Sequence, residues 1–332
     1  MTSQPILSVR DLAVSFPVKN GDVHAVNGVS FDVHPGEMLG IVGESGCGKS
    51  QTMRAILGLT SAPGRVTGGT VEFDGQDLTT LSRQALRTVR GTGIGFVSQS
   101  PFGALNPILR LEKQFGNVIR AHRKATRREI RATALASLAS VGIVDPERVL
   151  DGYAHELSGG MAQRVVIAMA MVHGPRLLLA DEPTTALDVT VQRQILDLME
   201  SIITQGERSM VLVTHDLGVV AQYCQRVLVM YAGKPVEVGA VADVFVRPEH
   251  PYTRALLDAV PRAGAKLSGL RGSLPNLVHY PIGCPYAPRC PGAQDVCRDT
   301  PPDLALPARS EHTVSCHHPL NRRERDHATS AR

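Results

Sequence analysis

The octapeptide GESGCGKS, Gly43–Ser50, follows the short apolar run MLGIVG and opens a stretch, KSQTMRAILGL, whose apolar residues recur with a helical period. It satisfies the spacing G-x-x-x-x-G-K-S/T, in the strand, loop, helix context which that spacing requires. Glycines let successive backbone N–H groups curl around phosphate oxygens without Cβ clashes, and a helix N-terminus adds partial positive charge. Gly43, Glu44, Ser45, Gly46, Cys47, Gly48 and Gln51 thus form a candidate phosphate cradle. Lys49 is assigned to the β and γ phosphates and Ser50 to Mg²⁺.

Further along, the apolar run RLLLAD ends in Asp181, with Glu182 next. A carboxylate at the carboxyl end of a strand is placed to hold the metal, and one a residue on can polarise an attacking water. Adjacent acids also suit a solvated turn, but the phosphate loop upstream favours Mg²⁺-dependent hydrolysis. In ELSGGMAQR, Ser158, Gly159 and Gly160 precede the helical run AQRVVIAMAM and make a second candidate anion-binding N-terminus.

ELSGGMAQR, with Leu157 before Ser158, resembles the signature of ATP-binding cassette proteins, with Met161 where glutamine is commoner, and it lies just upstream of the acidic strand as in that family. The resemblance implies an α/β fold: a P-loop NTPase cassette with a RecA-like core, an antiparallel β subdomain and a helical subdomain. It implies that Gln99 in FVSQSP is the Q-loop glutamine contacting Mg²⁺ and water, that Leu187 and Asp188 form the D-loop, and that His215 is the switch histidine on the γ-phosphate. The resemblance makes Phe16, just before the insertion KNGDV, the expected aromatic on adenine. One signature implies a partner: in the family, ATP is sandwiched head to tail between one chain's phosphate loop and the other chain's signature. Ala154 stands where proline is common among near relatives, and Cys47 occupies a variable position of the loop, read as incidental although a helix N-terminus lowers a thiol's pKa.

The segment LRGSLPNLVHYPIGCPYAPRC, with QSPFGALNP and the LSGGMAQR variant, resembles the ATP-binding subunits of dipeptide and oligopeptide permeases over nearly the whole chain. That implies an ATPase that powers an importer from the cytoplasmic face of the inner membrane. The implied partners are a second cassette subunit, homologous and non-identical, two transmembrane permease subunits, and an extracytoplasmic substrate-binding protein acting through them. Importers of nickel, glutathione and glycosides share these motifs, and a soluble non-transport cassette ATPase is the competing class.

Among the 332 residues, 43% are hydrophobic and 20% charged, as in an ordinary α/β protein. The net charge is only +4 and the basic residues are scattered, so no nucleic-acid partner is expected. No apolar run approaches the roughly 18 residues of a membrane span, and MTSQPILSVR lacks signal-peptide regions, so a cytosolic chain with reduced thiols is expected. The expected organisation is a nucleotide-binding domain over 1–245, with a helical subdomain about 100–172, a cysteine-containing extension over 246–320, and a disordered tail over 321–332.

Cys284, Cys290, Cys297 and Cys316 are separated by 5, 6 and 18 residues. Structural zinc sites usually pair ligands about two to four residues apart, which none of these do, whereas a 4Fe–4S cubane accepts thiolates from wider loops. The resembling importer subunits are associated with a 4Fe–4S cluster in this region; zinc, disulfides or free thiols stay open. His312, His317 and His318 are possible substitute ligands or plain surface histidines. Few periodic apolar positions follow Pro248, so a metal there is expected to staple the extension.

Overall fold

The computed structural model describes residues 4–260, 270, 272–304 and 312–320; the tail expected over 321–332 lies outside them. In chain order the strands are β1 (Leu7–Val18), β2 (Gly21–Val33), β3 (Met38–Val42), β4 (Arg65–Phe73), β5 (Gln76–Asp77), β6 (Ile94–Val97), β7 (Leu177–Asp181), β8 (Ser209–Val213), β9 (Arg226–Tyr231), β10 (Lys234–Ala240) and β11 (Thr313–Val314). The helices are α1 (Lys49–Ile56), α2 (Arg83–Thr92), α3 (Pro101–Ala104), α4 (Leu111–Arg120), α5 (Arg127–Ser140), α6 (Pro146–Asp151), α7 (Gly159–Met171), α8 (Val189–Gln205), α9 (Leu217–Tyr223), α10 (Val241–Val246), α11 (Pro251–Asp258) and α12 (Asp295–Asp299). The described residues form two compact units, one drawn from residues 4–6, 34–36 and 80–212, the other from the described residues of 7–33, 37–79 and 213–320.

In the second unit, β2, β1, β4 and β5 make an antiparallel sheet in that order. The register runs from Leu7 opposite Val33 to Val18 opposite Gly21, so the polar segment KNGDVH is mostly strand. Pairing Val23 with Phe16 extends the ladder, and only Lys19 and Asn20 remain between the strands. The order β11-β10-β9-β3 continues in a separate layer, with β3 parallel to β9. Every residue of β3 is buried, which is why MLGIV is uniformly apolar rather than alternating. The β9–β10 hairpin turns through Ala232 and Gly233, both at positive φ (48° and 81°). Two-residue hairpin turns favour positive φ because it matches the strand twist.

In the first unit, β8, β7 and β6 lie in that order, with β6 parallel to β7, and all five residues of both β7 and β8 are buried. Over about 100–172, the span expected to be a helical subdomain, the chain carries α3 to α7. Its clearest periodic stretch is α5, which buries Ile130, Ala134 and Leu138 on one face. α5 starts with a reciprocal cap: Glu129 N–H donates to Thr126 Oγ1 (3.3 Å) and Thr126 N–H to Glu129 Oε2 (2.7 Å).

Among the described residues after Pro248, helix and strand form where the sequence shows little period. Pro251 occupies the first turn of α11, where a missing N–H costs nothing, and Tyr252 is fully buried. β11 adds an edge to β10 by pairing Val314 with Glu237. Glu237, in a strand that reads KPVEV, is 0% exposed. Its carboxylate accepts hydrogen bonds from the N–H groups of Glu249 (2.7 Å) and His250 (2.9 Å) and lies 2.7 Å from His312 Nε2. One side chain of β10 thus ties two segments of the extension to the sheet. Glu237→Ala strands those buried polar groups, and a loss of about 3 kcal/mol in urea unfolding of the second unit is expected, with faster proteolysis after Pro248. An unchanged midpoint and cleavage rate would contradict this role.

Candidate functional site

The phosphate loop runs between β3 and α1, inside the second unit. A Cβ on Gly43 would collide with the carbonyl of Met230, and one on Gly48, at φ 105°, with the carbonyl of Ala25. These two glycines are therefore required by close backbone approach as well as by conformation. Lys49 is 5% exposed, and its Nζ donates to the carbonyls of Gly43 (2.8 Å) and Glu44 (3.1 Å). Those bonds compensate its desolvation and draw the ammonium into the curve of the loop. The Oε1 of Gln51, in the first turn of α1, is buried without a hydrogen-bond partner. Cys47 is fully buried, and its thiol pKa is raised by desolvation despite Lys49 nearby, the opposite of what a helix N-terminus alone implies. Phe16 is half-buried on β1 with its ring against Gly64, and His215 is exposed just after β8.

The acidic pair lies in the first unit. Asp181 closes β7 and is buried. Glu182 leaves the strand at φ 47°, and its Oε2 accepts from Gln99 Nε2 (3.1 Å) and Thr185 Oγ1 (2.9 Å). The structure thus brings Gln99 and Glu182 together, 83 positions apart in sequence. Thr185 is a partner that sequence reading missed, although its place in the EPTT turn is a signal. With Nε2 committed to Glu182, Gln99 presents Oε1 as its acceptor. Ser50, Gln99 and Asp181 are all oxygen donors, a chemistry that fits a hard divalent cation.

Ser158 caps α7, accepting from Met161 N–H at 3.3 Å. Asp188 caps α8, its Oδ1 accepting from Val191 N–H at 2.9 Å. The starts of these helices pack closely: a Cβ on Gly160 would sit 2.6 Å from Val191 Cγ1, and one on Gly159 3.2 Å from Leu187 Cδ2. The signature glycines thus have a packing reason that the sequence motif alone does not give.

Cys284, Cys290, Cys297 and Cys316 line one cavity of about 140 Å³ together with His250 and Tyr286. No carboxylate is among its described lining residues. Burial raises the thiol pKa values of Cys284 and Cys290, and that of Cys316 to about 11, and the neighbouring thiols add to each shift. Among the described residues no group of three or more His, Cys, Asp or Glu is arranged so that it can hold a single metal ion. His317 and His318 border the cavity as well; His312 does not, being engaged with Glu237.

Residues 26–185 match the family described as ABC transporter, and residues 236–297 match that described as oligopeptide/dipeptide transporter, C-terminal region. The chain is 48% identical over 317 residues to the dipeptide transport ATP-binding protein DppD of Bacillus subtilis, covering 94% of each chain. The chain belongs to the ABC transporter family. It carries that family's ATPase cassette. It is also 45% identical to the oligopeptide transport ATP-binding protein OppD of Escherichia coli, over 90% of this chain and 89% of that one. Among solved structures, the dimeric ATP-binding cassette MJ0796 in a post-hydrolysis state bound to ADP and Pi matches with TM-score 0.64 and 28% identity. That match covers 71% of this chain and 98% of MJ0796. Among the described residues, no helix of this cassette protein is long and apolar enough to cross a membrane.

Val191 is β-branched and stiff, so it cannot simply swing away from an added methyl at Gly160. Gly160→Ala is expected to lower the stability of the first unit by about 1–2 kcal/mol in urea unfolding. Val191→Ala in the same chain is expected to recover most of the loss. Absence of recovery would show that the glycine is needed for another reason.

Proposed function

We propose that the chain is the ATP-hydrolysing subunit of an importer of dipeptides or oligopeptides. It works on the cytoplasmic face of the cell membrane beside a second, homologous and non-identical cassette subunit. Two transmembrane permease subunits complete the transporter, and through them it serves an extracytoplasmic substrate-binding protein. The substrate class rests on the similarity to dipeptide and oligopeptide transport proteins over more than nine-tenths of the chain. The geometry that supports hydrolysis best is the Glu182 carboxylate, turned out of its strand and held on one oxygen by Gln99 and Thr185.

In this reading Phe16 stacks on adenine, N–H groups of the Gly43–Ser50 loop other than those of Glu44 and Cys47 face the phosphates, and Lys49 neutralises charge on the β and γ oxygens. The signature around Ser158 engages the nucleotide held by the partner cassette, and Asp188 lies at the same interface. Ser50, Gln99 and Asp181 would hold Mg²⁺, which when bound supplies charge neutralisation to the phosphates. Glu182 accepts a hydrogen bond from the attacking water, and His215 contacts the γ-phosphate. The new P–O bond forms as the bond to the β–γ bridging oxygen breaks, leaving ADP and phosphate. Closing and reopening of the cassette pair then drives the permeases.

For the extension we read the four cysteines as ligands of a 4Fe–4S cluster, with zinc as the alternative. Four thiols on one cavity without a carboxylate suit a soft, thiophilic centre. When bound, the group supplies metal–thiolate bonds that cross-link a segment with little core of its own.

Glu182→Gln is expected to keep ATP binding while lowering turnover at least about 100-fold in the assembled transporter, measured as phosphate release. Normal turnover would remove Glu182 from the reaction. Anaerobically purified protein is expected to contain iron and sulfide, with visible absorbance that Cys290→Ser abolishes. Zinc alone would favour the alternative, and neither metal would overturn the metal-site reading.

A further inference from the structure

Residues of the cysteine-bearing extension lie directly on the phosphate loop, within the second unit. Arg289, the residue before Cys290, sends Nη1 to Glu44 Oε2 (3.0 Å) and Nη2 to Glu44 Oε1 (2.9 Å). The pair is shielded, with side chains 5% and 21% exposed. Arg289 Nη1 also donates to the Tyr231 hydroxyl at 3.2 Å, and the guanidinium carbon lies 5.6 Å and 5.8 Å from the ring centres of Tyr231 and Tyr286. The hydroxyl of Tyr252, from α11, accepts the main-chain N–H of Glu44 at 2.9 Å. Leu274 completes the contact, its Cδ1 lying 3.6 Å from where a Cβ of Gly46 would project.

Glu44 is an awkward residue for its place. A carboxylate within a loop that binds a triphosphate repels the ligand unless a cation cancels it. An exposed ion pair has little influence, but a buried bidentate pair holds both charge and geometry. We propose that Arg289 is a positioning residue of the nucleotide site: it neutralises Glu44 and fixes the phosphate loop, making the extension part of the ATP-binding machinery. Through Tyr252 and Arg289 both the main chain and the side chain of Glu44 are anchored outside the cassette core.

This rests on the reading that ATP occupies the Gly43–Ser50 loop, so the test carries a control for that reading. Equilibrium binding of fluorescent mant-ATP with Mg²⁺ is measured on the full chain, with thermal unfolding and metal content followed for each variant. Lys49→Ala is expected to lose binding; if it binds like the parent, the loop assignment itself fails. With that control in place, Arg289→Gln is expected to weaken binding about ten-fold, and Arg289→Lys less, because it keeps the charge but not the fork. Glu44→Gln added to Arg289→Gln is expected to restore affinity to within about three-fold of the parent, since the unmasked carboxylate is then gone. A purely structural role for Arg289 gives no such rescue. Parent-like affinity in Arg289→Gln, or a double variant as weak as Arg289→Gln, would overturn the proposal. If Arg289→Gln does not fold, Arg289→Lys with and without Glu44→Gln gives the same comparison, and equal affinity in those two would overturn it.

Discussion

A loop built for an anion draws little shape from its own hydrogen bonds: Cys47 N–H turns back onto the Glu44 carbonyl at 3.2 Å, Glu44 N–H goes to the Tyr252 hydroxyl, and the rest of the shape comes from what lies beneath the loop. In this protein that floor is the end of β9 with the β9–β10 turn, and the first half of β2. The carbonyl of Met230 faces Gly43, and that of Ala25 faces Gly48. Gly233 N–H donates to the carbonyl of Cys47 at 2.9 Å, and Asn27 N–H donates to that of Gly233 at 2.8 Å. Side chains at residues 43 and 48 would break these approaches, and the Ala232–Gly233 turn is placed where its amide can reach the loop. The glycine pattern of the motif thus follows from backbone touching backbone on its lower side, as much as from phosphate on its upper side.

The same constraint explains why the extension is built as it is. Glu44 and Gly46 present their outer side to α11 and to the segment from Leu274 to Arg289, where three tyrosines pack ring on ring. Tyr231 belongs to β9, Tyr252 to α11, and Tyr286 to the cysteine-bearing segment, so the aromatic cluster joins core strand, helix and cysteine cavity in one contact set. Glu237 anchors the opposite side of α11 through the N–H of its cap, His250. The extension is short of apolar periodicity because its core is made from these few large rings and from buried polar bonds.

What was legible in the sequence is the chemistry that stays local. The phosphate loop, the acids after β7, the capped start of α7 and the amphipathic α5 each declare themselves within about a dozen residues, since helix caps and turns are local devices. What was not legible depends on partners distant in sequence. β11 has two residues and no period of its own; it exists because β10 offers an edge. Glu237 looks like an outward residue of an alternating strand, and only α11 and His312, folding back over it, make it buried. Cys47 follows the same logic, because its thiol is governed by burial under the loop and not by the helix it precedes.

Glu182 shows how such distant partners and local strain combine. A non-glycine residue at positive φ costs on the order of 1 kcal/mol, and nothing in the run LLLADEP compels it. The strain is held from both sides: β7 is buried along its whole length, so Asp181 cannot shift, and the chain turns at once, with Thr185 N–H on the Glu182 carbonyl at 3.2 Å. Extended backbone would send successive side chains to opposite faces of the sheet. Breaking that alternation at Glu182 lets its carboxylate reach Gln99 and Thr185 while Asp181 stays in strand register. Two adjacent acids thereby acquire different surroundings, one set by the sheet and one by side-chain donors from Gln99 and Thr185.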